Sequence, residues 1–456
     1  MIKARLLLHL LNHRRKLKRR ERWNREQLES YQSQALDRLR TFVYGHSPFY
    51  REFHKGRHQA PLHDLPILTK SLLMENFNDL VTDRSIRLDE VRAHLGRLPR
   101  EEKYQGRYWV SLTSGSAGYP SINLFNDNEW ACVLASAIRS YEWAGVRIRP
   151  LRRARAAAII SAKPAGMTAR VTGTFRFWWF PTLRMFSNEP LRSIVERLNA
   201  WQPEILQGFS YMIALLAEEQ LAGRLRISPS VVATGGDLLP KSQVEHIEAA
   251  WKGRRFDRYA SGESGVVASE CAGHHGLHLY EDLSIVEVVD QENRPVPPGE
   301  SGSRVLITAL TKHTQPLIRY EMSDLVRLST DVCPCGRSLR LIDELHGRVQ
   351  QTLYFPSPTL GLVAVPPDVF HRVIDLLPIA GWQILQQRDG LIVHLRKVPE
   401  GFSDEALADS LRGAISAMGG IAPPITVKRV SQILCEANGK APLIKSFDQE
   451  SVAPAP

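Results

Sequence analysis

Long apolar runs are absent from this chain. Nowhere in 456 residues do about 18 hydrophobic side chains follow one another, so no membrane-spanning helix is expected. Cysteine is scarce as well. Five residues, an odd number in so long a chain, do not suggest a disulfide scaffold and make the cytosol the expected compartment. The apolar patch Leu6-Leu7-Leu8-His9-Leu10-Leu11 leads into basic residues with no small-residue cleavage site, so a secretory signal is not expected. Internal repeats are missing too. Acidic residues number 48 against 59 Lys and Arg, which leaves a formal charge of +11. Much of that excess lies in the first 25 residues, around Arg14-Arg15-Lys16-Leu17-Lys18-Arg19-Arg20. Such a run suits an anionic surface, but the solvated face of a helix is the preferred reading. Ile2, Leu6, Leu10 and Leu17 fall on one helical face, which leaves peripheral membrane contact open; no nucleic-acid partner is expected.

What is present is an ordinary globular balance, 43% hydrophobic and 23% charged, in a chain long enough for two or three cores. Residues 1 to about 45 read as helix, with Leu28, Ala35, Leu36, Leu39 and Phe42 spaced as a buried stripe until His46-Ser47-Pro48 breaks it. Thr69 is a candidate N-cap. Further along, helical patterns at Glu129–Ala144 and Leu191–Trp201 alternate with strand-like Ala156–Ser161 and Val231–Thr234. Alternation of this kind predicts an α/β domain on a largely parallel sheet. A boundary falls near Gly347-Arg348. Beyond it, strands at 391–395 and 425–430 flank a helix at Ser403–Met418, a small α+β unit of its own.

Two stretches carry chemistry. The first is Thr113-Ser114-Gly115-Ser116-Ala117-Gly118-Tyr119-Pro120, which follows the strand-like Tyr108–Leu112. Its glycines let successive backbone N–H groups converge on a phosphate, and its hydroxyls add donors for the same oxygens. No Gly-Lys-Ser/Thr follows, which excludes the Walker-type loop. The second is Cys333-Pro334-Cys335-Gly336-Arg337, two thiols one residue apart on a turn. Together with Cys271 and His278 upstream it makes a Cys3His set, the closed tetrahedral arrangement of structural zinc. His278 is preferred to His274 or His275 because six residues separate it from Cys271, enough for a turn. Cys132 and Cys435 read as isolated buried thiols.

In serial order, Thr69-Lys70 after Pro66, the 113–120 loop, Gln207-Gly208-Phe209-Ser210-Tyr211, Gly235-Gly236-Asp237, Tyr259-Ala260-Ser261-Gly262-Glu263, Gly276-Leu277-His278, Leu317 to Asp324, Cys333 to Arg337, Gly347-Arg348 and Gly439-Lys440 resemble the adenylate-forming superfamily. The resemblance covers nearly the whole chain. It is closest to the phenylacetate–coenzyme A ligase branch, near its divergent members linked with capsular polysaccharide genes. It implies an α/β fold: a large N-terminal adenylate-forming domain of layered sheets and helices over 1–346, and a small α+β C-terminal lid domain over 347–456. The first 60 residues would be a helical entry, and the zinc knuckle would span 271–335.

The activity implied is ATP-dependent conversion of a carboxylic acid, with aromatic acids suited to the aromatic residues, into an acyl-adenylate and pyrophosphate. Transfer to a thiol such as coenzyme A would follow. By the same resemblance Thr113, Ser114, Gly115, Ser116 and Gly118 would cradle the phosphates, and Gly235, Gly236 and Asp237 would line the nucleotide. Tyr259 would stack on adenine, Asp324 and Arg348 would hold the ribose, Glu263 would bind Mg2+, and Lys440 would bring positive charge to the carboxylate and α-phosphate. Trp143, Lys163, Gly166, Met167, Phe209, Ser210 and Tyr211 would lie near the acyl group. The chain departs from the family at Gly262, where a hydroxyl residue is usual, and at Gln350-Gln351, where acidic hinge residues are usual. The second departure leaves open an adenylyltransferase that needs no thiol. The basic run leaves open a non-catalytic zinc-bearing scaffold.

Overall fold

The computed structural model describes residues 4–97, 102–113, 121–146, 154–160, 166–174, 180–187, 189–236, 239, 241–322, 324–348, 353–358, 361–365, 367–374, 377, 379, 381–434 and 442–446. At its centre is a nine-stranded sheet. In spatial order its strands are Asp324–Leu328, Leu341–Arg348, Leu277–Leu279, Gly265–Ser269, Arg255–Ser261, Val231–Gly235, Ile205–Gln207, Ala156–Ile160 and Thr182–Phe186. The last five pair in parallel, joined by helices Met167–Thr174, Leu191–Trp201, Ser210–Leu221 and Lys241–Trp251. Every residue of Ala156–Ile160 is buried, as a strand covered by helices on both faces requires.

The expectation of a largely parallel sheet holds only for that half. From Arg255–Ser261 onward every pairing is antiparallel. The turn between Ser261 and Gly265 is far too short for a parallel crossover, so the chain must fold back on itself. This mixed sheet fixes the site. The carboxyl ends of parallel strands are where an open α/β sheet leaves a crevice, and the first hairpin opens at that end, just after Ser261.

The N-terminal stretch is two helices rather than one, Ala4–Arg20 and Arg25–His46. Asn24 separates them through a capping box with Gln27. The apolar stripe of the first helix is not available to a membrane. Leu6, Leu10 and Leu17 are buried against Trp130, Leu134 and Ile138 of the helix Asp127–Trp143. Arg14 extends this contact to Glu142, and Arg139 donates to the Leu17 carbonyl at 3.1 Å while pairing with Asp282 at 2.7 Å. Among the described residues no helix is long and apolar enough to cross a membrane.

Near the C-terminus, Ile425–Arg429, Gly390–Arg396, Gly381–Gln387 and Ile444–Ser446 form a four-stranded sheet. With helices Pro367–Ile374 and Asp404–Ala417 and the hairpin Leu353–Ser357/Gly361–Val365, it encloses a core drawn entirely from residues 353 to 444. Ser403 caps the second helix, its hydroxyl accepting the Ala406 amide. The unit rests on the large sheet's helices. Arg396 and Lys397 both bind Glu218, the latter at 2.7 Å, and Ile433 enters the core around Ile213 and Ile247.

Candidate active site and cysteine–histidine cluster

Thr113 follows the strand Trp109–Leu112 and faces Ser121, which precedes the return strand Ile122–Phe125. The Thr113 amide donates to the Ser121 carbonyl at 3.1 Å, and the Ser121 amide donates to the Thr113 hydroxyl at 2.9 Å. The chain therefore enters and leaves the 114–120 segment at one neck. Ser114, Gly115, Ser116 and Gly118 lie outside the described residues. The Ser121 hydroxyl lies 3.4 Å from Glu263 Oε1, and the Tyr320 hydroxyl donates to the same oxygen at 3.1 Å. Burial and the adjacent Glu263 carboxylate hold the Tyr320 phenol well above its usual range, so it remains a donor.

The reverse contact also exists. Tyr259, four residues before Glu263, donates to Asp324 Oδ2 at 2.8 Å, and Asp324 lies four residues after Tyr320. Each motif's tyrosine thus holds the other motif's carboxylate. Tyr259 is only 8% exposed and packs into the core with Leu279 and Tyr320. The structure gives its ring packing partners and its hydroxyl an acid. Arg348 pairs with Asp324 across the ladder.

Gly262 has a specific reason to be glycine. A Cβ there would stand 2.8 Å from Thr113 Cγ2, closer than packed carbons come. The hydroxyl usual at this position would collide with the neck. Ser261 and Ser264, on either side, bond each other at 2.9 Å and close the turn. Gly235 is likewise pressed on the neighbouring strand, where a Cβ would meet the Arg258 carbonyl at 2.7 Å, and Gly236 follows with a positive φ of 90°. Both sit at the carboxyl end of Val231–Gly235. Asp237 and Lys440 lie outside the described residues, as do Lys163, Cys435 and Gln350-Gln351.

Sequence reasoning missed Lys312. It is fully buried beneath the Glu263 turn, donating to the Glu263 carbonyl at 2.8 Å and to Asn123 Oδ1 at 3.3 Å. Its ammonium lies 4.4 Å from the centre of the Phe125 ring. Burial pushes it down to about 7, against the opposing pull of Glu129 and Glu263. Nothing in Thr311-Lys312-His313 distinguishes it from a surface lysine; only the placement of Asn123 and Phe125 buries it.

The second cluster is elsewhere. Cys271 follows the strand Gly265–Ser269, His278 is in Leu277–Leu279, and Cys333 and Cys335 occupy the turn before Leu341–Arg348. Antiparallel pairing of Leu341 with His278 brings the turn onto the histidine. The ligand atoms of all four lie within 4.8 Å of one another. Cys271 Sγ and Cys333 Sγ are 3.7 Å apart, and Cys335 Sγ is 3.4 Å from His278 Nε2. In a tetrahedral zinc site the corresponding edges measure about 3.8 and 3.6 Å, so the donor set fits that ion. Burial, then the nearby Arg337 charge, pushes His278 down to about 4, which keeps the imidazole neutral and able to ligate. His274, by contrast, faces Glu270 at 3.6 Å and the Phe256 ring. Trp143, expected near the acyl group, instead packs edge-on against His278 with ring centres 5.5 Å apart.

No family model matches the chain. Phenylacetate-coenzyme A ligases of Thermus thermophilus, Aromatoleum evansii and Escherichia coli are each 25% identical to it, over 81, 89 and 94% of this chain and 80, 91 and 97% of theirs. A crystal structure of 2-hydroxyisobutyryl-CoA ligase in the postadenylation state, in complex with 2-HIB-AMP, superposes with a TM-score of 0.72 at 18% identity. It covers 95% of this chain and 92% of that one. The chain has the adenylate-forming ligase fold and is similar to the phenylacetate–coenzyme A ligases. The same 2-hydroxyisobutyryl-CoA ligase in its thioesterification state superposes with a TM-score of 0.60 at 17% identity, over 94% of this chain and 92% of that one.

Proposed function

We propose that this chain is an AMP-forming acid–thiol ligase. A carboxylate oxygen attacks the α-phosphorus of ATP, pyrophosphate leaves, and a thiol such as coenzyme A then displaces AMP from the acyl-adenylate. The observation that carries the reading is the reciprocal tyrosine–carboxylate clasp, which ties Glu263 and Asp324 to the neck of the glycine-rich segment. In it Thr113 and the backbone of Ser114 to Gly118 supply donors for the leaving pyrophosphate. Asp324 and Arg348 take the ribose hydroxyls, while Gly235, Gly236 and Asp237 line the nucleotide. Tyr259 serves by orienting Asp324. Glu263 offers Mg2+ a hard oxygen ligand, and that ion would neutralise phosphate charge. Lys440 brings a cation to the attacked phosphate.

The carboxyl unit beyond Gly347 is read as the lid domain, and Cys271, His278, Cys333 and Cys335 as a structural zinc knuckle. ATP–pyrophosphate exchange across a panel of aromatic and aliphatic acids tests the ligase reading. Acid-dependent exchange is expected in the native protein and lost in Lys440→Ala with nucleotide binding retained; no exchange with any acid, and no ATP binding, would remove the reading. For the knuckle, metal analysis should find about one zinc per chain, absent from Cys335→Ser. Equal zinc in both proteins sinks that assignment.

A further inference from the structure

The helix Ala4–Arg20 turns its apolar stripe inward, and its opposite face is exposed and has no ion-pair partner among the described residues. The helix contains seven Lys and Arg residues and no Asp or Glu. Arg14 and Arg20 turn toward the body, binding Glu142 and the Asp282 carbonyl. The other five, Arg5, Arg15, Lys16, Lys18 and Arg19, are exposed, and among the described residues none of them is ion-paired. At 100° per residue they share one arc, and Leu8 and Leu11 fall within it. Those two leucines are 68% and 40% exposed.

We propose that this outward face docks on an anionic lipid surface. Unpaired cations on a rigid helix complement a negative surface potential, and leucines among them can enter the acyl boundary. A nucleic-acid backbone would gain nothing from leucine, and the face carries no aromatic side chain on which a base could stack. The proposal is independent of the ligase reading. It also replaces the membrane contact expected of the Leu6, Leu10 and Leu17 stripe, which the fold has used.

Deleting the helix would strip the cover from Trp130 and Leu134, so the test keeps the full chain. Flotation with phosphatidylcholine vesicles, plain or containing about 30% phosphatidylserine, should show binding only to the anionic set and release at high salt. Each basic residue near such a surface is worth about 1 kcal/mol, roughly fivefold in partitioning, so Arg15→Glu with Arg19→Glu should weaken binding at least about 25-fold. Leu8→Ser with Leu11→Ser, which leaves every charge in place and disturbs no core contact, should weaken vesicle binding severalfold. Equal binding to neutral and anionic vesicles, or unchanged binding by both double variants, overturns the proposal. So does tighter binding to a DNA duplex than to anionic vesicles.

Discussion

Between Gly262 and Thr113 a single methyl group separates fit from collision, and this gives the sharpest test at the residue scale. Gly262→Ser introduces the hydroxyl usual in the family that the chain resembles but drives a Cβ into Thr113 Cγ2. Overpacking of this kind costs about 1–3 kcal/mol, and we expect pyrophosphate exchange to fall about tenfold or more. Thr113→Ser deletes that methyl while keeping the hydroxyl. The double variant should therefore recover exchange that the single variant loses, and equal loss in both would show that the contact is not the reason for glycine. This explanation was not legible in the sequence, where Gly262 is simply a departure from pattern. The partner of the Tyr259 hydroxyl was hidden for a related reason. What a buried tyrosine hydroxyl does depends on its partner, and that partner, Asp324, is 65 residues away. Lys312 gave no signal at all, whereas the two thiols of Cys333-Pro334-Cys335 announced themselves because a turn must present both the same way.

Helices and strands were more readable than their pairings. Thr69 and Ser403 cap helices as their sequence contexts predict, because capping is settled within a turn. The direction of neighbouring strands is settled by connections and distant partners, so the switch to antiparallel pairing after Arg255–Ser261 was not readable from alternation. One pairing between elements makes a prediction of its own. Glu218 on the helix Ser210–Leu221 receives both Arg396 and Lys397 at the end of the strand Gly390–Arg396. The Arg396 side chain is 4% exposed, so Glu218→Ala withdraws a carboxylate from a buried cation, a loss of about 3 kcal/mol. Hydrogen exchange should accelerate across 381–396 and leave 404–417 unchanged; identical protection in both segments would deny this ion pair a part in seating the carboxyl unit.

For the molecule as a whole, acid is the informative variable. His54 is fully buried against Tyr44, and burial, then Arg40, pushes it down to about 4. Between its ordinary value of about 6.5 and that value, the unfolded chain binds a proton that the folded chain refuses. Stability must then fall as pH drops through this window, by about 2 kcal/mol at pH ~5 relative to neutrality from this residue. His54→Gln should flatten that part of the denaturant-midpoint profile, and an unaltered slope would exonerate the histidine. The helix Asp127–Trp143 has a different consequence. At one end Glu129 accepts the amides of His313 and Thr314, next to Lys312; at the other, the Trp143 carbonyl accepts the Ala272 amide and its ring abuts His278. Seventeen residues make a strut about 25 Å long, clamped at both tips. On the zinc reading proposed above, chelating that ion should slacken the far end of the strut, so that nucleotide binding would respond to a metal it never meets.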